Sequence, residues 1–171
     1  MKYKYFIVIV MLLIPVLFTP GCNGEELVAQ NGDHIAVHYT GTLNDGTKFD
    51  SSYDRDEPLE FTVGAGQMIA GFDSAVKGMK VGDKKTVTLL PDEAYGEWDE
   101  DKIMKFDRSE FEEPLTYVVG DYIPLQSSSG YLVEFPIVEI TDEYVAVDTN
   151  HELAGKELTF EIEVVKLERP E

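Results

Sequence analysis

Residues 37–52 read VHYTGTLNDGTKFDSS, and the interpretation of the whole chain starts from this stretch. Alternating residues run into Asn44-Asp45-Gly46 and out again, which predicts a β-hairpin whose turn accepts a positive φ. The two arms carry Tyr39, Phe49 and Asp50, which are two aromatic rings and one carboxylate without an evident nucleophile. A site built from such groups favours catalysis by shape and polarity over catalysis by covalent attack.

The sequence around the hairpin predicts several strands and a single helix. The helix is expected over residues 69–77, where Phe72 and Val76 share one face and Gly78 follows as a left-handed C-terminal residue. Alternating apolar residues predict strands over 34–39, 61–63, 84–90 and 158–167, the last being typical of a central strand. Together these elements form an α+β pattern.

The residue pattern of the sequence changes after Gly96. An acidic stretch over 97–101 leads into residues 102–114, which show no clear period. Strand-like runs separated by turn residues then occupy 116–119, 122–125, 131–140 and 144–147. We therefore expect a small β-rich domain over 97–148, inserted between residues 31–96 and 149–171.

The first 22 residues predict an export signal. Lys2 and Lys4 precede an apolar run over 5–18 that is short for a membrane span. The run ends before Gly21-Cys22, which resembles the lipobox of exported lipoproteins, where the cysteine is acylated and becomes the mature N-terminus. An uncleaved anchor and plain secretion are the alternatives. We expect an exported protein at the cell surface or in a periplasm-like compartment, held at the membrane only through this anchor, with residues 23–30 as a tether.

The charge of the chain excludes some classes of partner. Its 33 acidic residues outnumber 14 basic ones, which gives a formal net charge of −19. Such a surface repels nucleic acid and opposes docking on anionic lipid headgroups. A single cysteine rules out an internal disulfide. The histidines at 34, 38 and 151 lack the spacing of metal ligands, so neither a metal nor a cofactor is expected.

Four blocks of the chain resemble the FKBP-type peptidyl-prolyl isomerases, in that family's order. They are VHYTGTLNDGTKFDSS (37–52), PLEFTVGAGQMIAGFDSAVKGMKVGD (58–83), PDEAYGE (91–97) and LTFEIEVVKLE (158–168). The resemblance implies an α+β fold in which an antiparallel β-sheet wraps around one short helix. It also implies isomerase activity on proline-containing peptides, and binding of macrolide inhibitors.

The long stretch between Gly96 and residue 149 is similar to the SlyD-like subgroup of this family. Ordinary members join the Ala-Tyr-Gly segment to the last strands through a short flap. In the SlyD-like subgroup an insert-in-flap domain replaces that flap and acts as a chaperone module on unfolded or partly folded proteins. The histidine- and cysteine-rich metal-binding tail of bacterial SlyD is absent from this chain.

The resemblance also implies which residues form the site. The catalytic positions are Tyr39, Phe49, Asp50, Tyr95 and Phe160. The substrate-binding positions are Leu59, Phe61, Met68, Ile69, Phe72 and Leu153. Arg55 matches the arginine that pairs with the acidic pocket residue, and Phe72 stands where many members have Trp. Leu153 and His151 are the nearest candidates for the flap residues of short members. Without the resemblance, the aromatic positions would be interpreted as ordinary core.

Two functions follow from these features. The first is a prolyl isomerase and folding chaperone for exported proteins. The second is a non-catalytic holdase, a peptide-binding lipoprotein that uses the inserted domain. The chaperone surface would draw on apolar residues of the insert, which otherwise fill its core: Ile103, Met104, Phe106, Phe111, Tyr122, Tyr131 and Phe135.

Overall fold

The computed structural model describes residues 26–111, 115–126 and 130–171, so the predicted signal and Cys22 lie outside the described residues. The strands are β1 (His34–Leu43), β2 (Lys48–Ser51), β3 (Leu59–Thr62), β4 (Lys84–Leu89), β5 (Ile103–Asp107), β6 (Tyr122–Gln126), β7 (Leu132–Ile140), β8 (Tyr144–Asp148) and β9 (Leu158–Glu168). The α-helix is α1 (Ala70–Val76).

The first sheet contains five antiparallel strands in the order β2-β1-β9-β4, with β3 also paired to β1. Strand β9 lies between β1 and β4, as its alternating sequence predicted. The buried face of the sheet packs against α1, with Val37, Val76 and Val164 fully buried at the centre of the core. Burial of such aliphatic and aromatic surface is the main force that holds helix and sheet together. The predicted fold class is confirmed.

The opening hairpin and the helix form where the sequence predicted them. Gly46 has a φ of +83°, a value that a side chain would strain, and the amide of Gly46 donates to the carbonyl of Leu43. Gly78 follows the helix with a φ of +80°. These two glycines therefore mark the turn between β1 and β2 and the end of α1, as the sequence predicted.

The second sheet has the strand order β5-β8-β7-β6 and a separate hydrophobic cluster. Its buried residues are Ile123, Ile137, Val145 and Val147. Strands β6, β7 and β8 match the predicted runs. The expected strand at 116–119 was wrong, because 115–118 are irregular and a turn follows, whereas β5 was not expected.

The first described residues pack onto the end of the helix. The amide of Ala29 donates to the carbonyl of Met79 at 2.8 Å, and the amide of Gly78 donates to the carbonyl of Ala29 at 2.8 Å. Ala29 itself is buried. Part of the predicted tether is therefore integrated with the first sheet and α1. Within the described part of the chain, no helix has the length and apolar composition that crossing a membrane requires.

Candidate active site

A cavity of about 280 Å³ opens between the β1–β2 hairpin, β3, the start of α1 and β9. We call it the aromatic pocket. Its lining residues are Tyr39, Phe49, Asp50, Leu59, Gln67, Met68, Ile69, Phe72, Tyr95 and Phe160. All of these except Gln67 were named from the sequence. The structure thus brings together residues that are up to 121 positions apart in the chain.

The floor of the aromatic pocket is a cluster of rings that meet edge to face. The ring of Phe72 lies 5.2 Å from that of Phe160 at 82°, and 5.7 Å from that of Tyr39 at 81°. The ring of Phe49 meets Phe160 at 5.6 Å and 89°. This geometry is favoured between aromatic rings, and each pair fixes the orientation of the next. The result is a rigid, apolar surface with little freedom to collapse.

One side of the pocket carries a polar triangle of Tyr39, Asp50 and Arg55. The hydroxyl of Tyr39 donates to Oδ2 of Asp50, and Nη1 of Arg55 donates to Oδ1 of the same carboxylate at 2.6 Å. Nη2 of Arg55 also donates to the Tyr39 hydroxyl at 2.9 Å. Burial pushes the pKa of Asp50 upward, but the hydrogen bonds from Tyr39 and Arg55 outweigh it and the pKa lies below its ordinary value. Asp50 is therefore an ionised carboxylate with its charge compensated.

Tyr95 forms the rim of the pocket and has a polar group to offer. Its ring is 37% exposed, and no described residue forms a hydrogen bond with its hydroxyl. Burial raises the pKa of Tyr95, and the charges of Asp50 and Glu152 raise it further. The hydroxyl consequently stays protonated at neutral pH and is free to donate a hydrogen bond to a ligand.

Two predicted residues lie beside the pocket and not in its lining. Phe61 is buried in β3, and its ring lies 6.0 Å from that of Phe72, so it supports the floor from behind. Leu153 is buried in the core of the first sheet. Gln67 was missed, although it directly precedes the predicted Met68. Its Oε1 accepts the amide hydrogen of Thr62 at 2.7 Å, which ties the loop before α1 to β3.

Each of the three histidines interacts with a different neighbour. Nδ1 of His34 lies 2.9 Å from the Thr62 hydroxyl, and Nδ1 of His38 lies 3.0 Å from that of Ser52. His151 stacks on Tyr95. Among the described residues, no three His, Cys, Asp or Glu side chains converge in a way that could hold a metal ion.

A second apolar cavity, of about 340 Å³, lies on the second sheet. We call it the second-sheet groove. It is lined by Met104, Phe106, Leu125, Gln126, Phe135 and Thr149. Of the other residues predicted for a chaperone surface, Ile103 is half-buried, Phe111 packs on the cluster of this sheet, and Tyr122 and Tyr131 are exposed outside the groove.

The chemistry available in the aromatic pocket is non-covalent. Its lining contains no serine, cysteine, lysine or histidine that could act as a nucleophile, and its one carboxylate is held by Tyr39 and Arg55. What it offers is an apolar floor, a protonated hydroxyl at the rim and a compensated charge. Such a site can desolvate and hold a small apolar ring next to a carbonyl group.

Comparison with known proteins agrees with this geometry. A family model described as "FKBP-type peptidyl-prolyl cis-trans isomerase" matches residues 25–165. The chain is 34% identical over 139 residues to the "FKBP-type 16 kDa peptidyl-prolyl cis-trans isomerase" of Escherichia coli K12, covering 81% of this chain and 93% of that protein. It is 36% identical over 152 residues to the "Short-type peptidyl-prolyl cis-trans isomerase" of Methanocaldococcus jannaschii, covering 79% and 91%.

A shorter and closer similarity links the chain to a fungal protein. The "FK506-binding protein 1A" of Neurospora crassa is 55% identical over 67 residues, which are 39% of this chain. The chain spans 56% of the length of that relative, whereas it spans more than nine tenths of the two relatives described above.

Proposed function

The chain belongs to the family of FKBP-type peptidyl-prolyl cis-trans isomerases, and on this premise we propose that the aromatic pocket is where it binds and isomerises Xaa-Pro bonds. Enzymes of this family are isomerases that act on proline-containing peptides. The observation that carries the proposal is the cavity itself, in which Phe49, Phe72 and Phe160 form an apolar floor beneath the free hydroxyl of Tyr95.

The physical basis of the reaction is the resonance of the amide. Rotation about the Xaa-Pro bond faces a barrier of about 18–20 kcal/mol because the planar form carries that resonance. Twisting the bond removes the resonance, so the carbonyl of the twisted state is less polar than that of the planar state. A pocket that strips water from this carbonyl disfavours the planar state relative to the twisted one, which lowers the barrier.

Each polar group then has a part that involves no proton transfer. The proline ring would lie on Phe72 and Phe160, while Tyr95 donates its hydroxyl to a substrate carbonyl. The backbone N–H of Ile69 donates to no described residue, so it would supply a second hydrogen bond to the substrate. Asp50 holds Tyr39 in place through the hydrogen bond between them. We also propose that peptides compete with FK506 for this pocket, because the relative from Neurospora crassa is named "FK506-binding protein 1A".

The test is a protease-free assay of Xaa-Pro peptide isomerisation by the full chain in mild detergent and by residues 23–171. Both should accelerate isomerisation. Tyr95→Phe should lower kcat/KM about threefold to tenfold, the worth of one hydrogen bond between neutral groups. Tyr53→Phe is the matched control, because Tyr53 is exposed and its hydroxyl donates to Glu163 outside the pocket. No acceleration by either preparation, or equal losses in the two variants, would refute the assignment of the pocket.

A finer part of the proposal places the chain in the SlyD-like subgroup, with the second sheet as an insert-in-flap chaperone domain. The second-sheet groove supports this, since Met104, Phe106 and Phe135 present apolar surface there to an extended chain. Tyr131, 74% exposed, adds apolar surface outside the groove. In the alternative function, a holdase without catalysis, the same groove would bind unfolded chains and the aromatic pocket would not catalyse isomerisation.

Deleting residues 98–147 and bridging the ends with a short flap separates these functions. The shortened chain should keep its isomerisation of short peptides and lose its suppression of the aggregation of an unfolded protein. Equal suppression by both forms would exclude a chaperone role for the second sheet. Wild-type chain that suppresses aggregation but does not isomerise peptides would favour the holdase.

We also propose that the protein is exported and anchored through Cys22, on the basis of the sequence of residues 1–22 alone. Cys22→Ser should abolish a lipid-sized mass increase on the mature protein and release it from the membrane fraction. Intact-mass measurement of the two purified forms checks this. An unmodified Cys22 with residues 1–21 still attached would point instead to an uncleaved anchor.

A further inference from the structure

The rim residue Tyr95 is stacked face to face on His151. The two ring centroids are 3.9 Å apart and the ring planes are inclined by only 7°. Because no described residue bonds the Tyr95 hydroxyl, this stack is the side-chain contact that fixes the plane in which the hydroxyl lies. The orientation of the proposed hydrogen-bond donor thus depends on a ring that does not itself line the pocket.

The ring of His151 is in turn held by its own backbone turn. Its Nδ1 accepts the amide hydrogen of Leu153 at 3.1 Å, and the amide of Ala154 donates to the His151 carbonyl at 2.8 Å. Since Nδ1 accepts, the neutral ring carries its proton on Nε2. Leu153 is buried in the core of the first sheet and Ala154 is buried as well, so the turn that orients the ring is anchored by packing.

The stack also joins the two chain segments that connect the sheets. Tyr95 lies before the second sheet and His151 lies after it. Beside them, the amide of Gly155 donates to the carbonyl of Gly96 at 2.8 Å, which pairs the same two segments through the backbone. The side-chain stack and the backbone bond together set the position of the Tyr95 ring at the pocket rim.

We propose that His151 is a positioning residue for the isomerase reaction, and that its ring holds Tyr95 in the orientation that presents the hydroxyl to the substrate carbonyl. This inference rests on the proposed function of Tyr95. It attributes to the ring of His151 a role separate from the turn that its Nδ1 completes. The two roles can be separated, because different side chains replace the ring and the Nδ1 acceptor.

Three variants of the full chain make this separation. His151→Phe keeps an aromatic face and loses the acceptor for the Leu153 amide. His151→Asn keeps an acceptor, because an asparagine side chain bonds the amide two residues on, but it loses the ring. His151→Ala loses both. We expect kcat/KM for an Xaa-Pro peptide to stay within about twofold of wild type for His151→Phe, and to fall about threefold to tenfold for the other two.

Combining these variants with Tyr95→Phe gives a sharper test. That substitution keeps the ring of residue 95 and removes only its hydroxyl, so stacking with His151 survives. If His151 acts by orienting the hydroxyl, His151→Ala should cause no further loss of kcat/KM in the Tyr95→Phe background. A purely structural role would lower the activity equally in both backgrounds. Thermal unfolding of each variant shows whether the fold is retained.

The outcomes distinguish this inference from the function on which it rests. If Tyr95→Phe alone has wild-type activity, the proposed role of Tyr95 fails. If Tyr95→Phe is slow but His151→Ala matches wild type, only the positioning role is overturned. It is overturned as well if His151→Asn is normal while His151→Phe is slow, since the turn would then be the essential feature.

Discussion

Gly41 leaves room for the ring of Phe49 in the floor of the aromatic pocket. A Cβ at position 41 would lie 2.5 Å from Cζ and 2.7 Å from Cε2 of Phe49, which is closer than real atoms approach. The ring of Phe49 thus crosses β1 where that strand has no side chain, and its edge-to-face contact with Phe160 depends on this close approach.

We expect Gly41→Ala to displace the Phe49 ring, to destabilise the fold by about 1–3 kcal/mol and to lower kcat/KM for peptides. Chemical unfolding and the peptide assay measure the two effects. In the double variant Gly41→Ala with Phe49→Leu, the smaller side chain should relieve the clash and restore stability, while activity stays low without the aromatic ring in the pocket floor. Wild-type stability and activity in Gly41→Ala would contradict this account.

The role of Asp50 is also testable at the scale of a single side chain. If Asp50 only holds Tyr39 and compensates Arg55, replacing it by its neutral isostere should weaken catalysis modestly. We expect Asp50→Asn to lower kcat/KM by less than about tenfold, whereas loss of a general acid or base typically removes about 10²–10⁴-fold. A loss in the larger range would show that Asp50 transfers a proton after all.

Most pocket residues could be named from the sequence because they lie in four contiguous blocks that keep one family's order. Gln67 lies in such a block, but a polar side chain between Gly66 and Met68 gives no periodic signal. Its place in the lining becomes visible only once its Oε1 is seen to bond Thr62 in a neighbouring strand. Phe61 matches its predicted position, but the depth of the ring behind Phe72 depends on packing that a linear pattern does not contain.

Among the elements, the start of β1 and the end of β9 are joined by an ion pair between the buried Asp33 and the partly exposed Arg169. Asp33 is 1% exposed, and its two oxygens accept from Nε and Nη2 of Arg169, both at 2.8 Å. The amide of Gln30 adds a third bond to the carboxylate, and Nη2 of Arg169 also donates to the carbonyl of Val28. The hydrogen bonds from Arg169 hold the pKa of Asp33 below its ordinary value.

The sign of the pH dependence follows from that lowered pKa. A carboxyl group with a lower pKa in the folded state stabilises the fold fully above its unfolded-state pKa and loses that contribution as the pH falls through the folded-state pKa. Asp33→Asn should therefore be less stable than wild type at pH 7, and the gap should close as the pH falls below about 4. Urea unfolding at several pH values measures the gap.

A surface pair provides the control for this prediction. Lys48 and Asp54 are both about half exposed, and such pairs add little to stability. Asp54→Asn should leave the free energy of unfolding nearly unchanged at every pH. A difference in the free energy of unfolding between wild type and Asp33→Asn that stays constant down to pH 2 would show that Asp33 stabilises the fold through packing and not through charge.

The predicted strand at 116–119 shows how a local turn overrides strand propensity. The β-branched residues there favour a strand, but Gly120 has a φ of +98° and the side chain of Asp121 accepts the amide hydrogen of Val118 at 2.8 Å. The left-handed Gly120 and this hydrogen bond place the end of the segment in a turn. Val118 and Val119 favour extended backbone, but the turn at Gly120 and Asp121 prevents the segment from pairing as a strand.

Strand β5 was missed for the opposite reason. Its sequence Ile-Met-Lys-Phe-Asp alternates between apolar and charged residues only from Met104 to Asp107, a run too short to stand out from the mixed residues on either side. It is a strand because Met104 and Phe106 lie opposite the buried Val147 and Val145 of β8. Its partner strand specifies it, and a partner about 40 residues away cannot be read from local sequence.

At the scale of the whole molecule, two paired segments join the sheets. Asn150 donates to the carbonyl of Asp99 at 2.8 Å and accepts the amide hydrogen of Asp99 at 3.0 Å. The amide and hydroxyl of Thr149 both donate to the carbonyl of Lys102. Thr149 lines the second-sheet groove, and His151 stacks on the pocket rim, so one short segment serves both sites.

This arrangement predicts that the groove delivers protein substrates to the pocket. A chain held in the groove would present its prolines to the pocket at a raised effective concentration, an effect that can reach about 10²–10⁴-fold in affinity. A tetrapeptide is too short to use both sites. The ratio of kcat/KM for a proline-limited refolding protein to that for a tetrapeptide therefore measures the delivery.

Met104→Glu should lower that ratio about tenfold or more by placing a charge in the groove, and it should leave tetrapeptide isomerisation unchanged. Met104 is 46% exposed, so the substitution should not unfold the second sheet. Val138→Glu is the matched control. Val138 lies in β7, is 42% exposed and is outside the groove, so this substitution adds the same charge elsewhere on the second sheet. Equal ratios in wild type and Met104→Glu would show that the groove does not deliver substrates, and a fall in both variants would attribute the effect to charge alone.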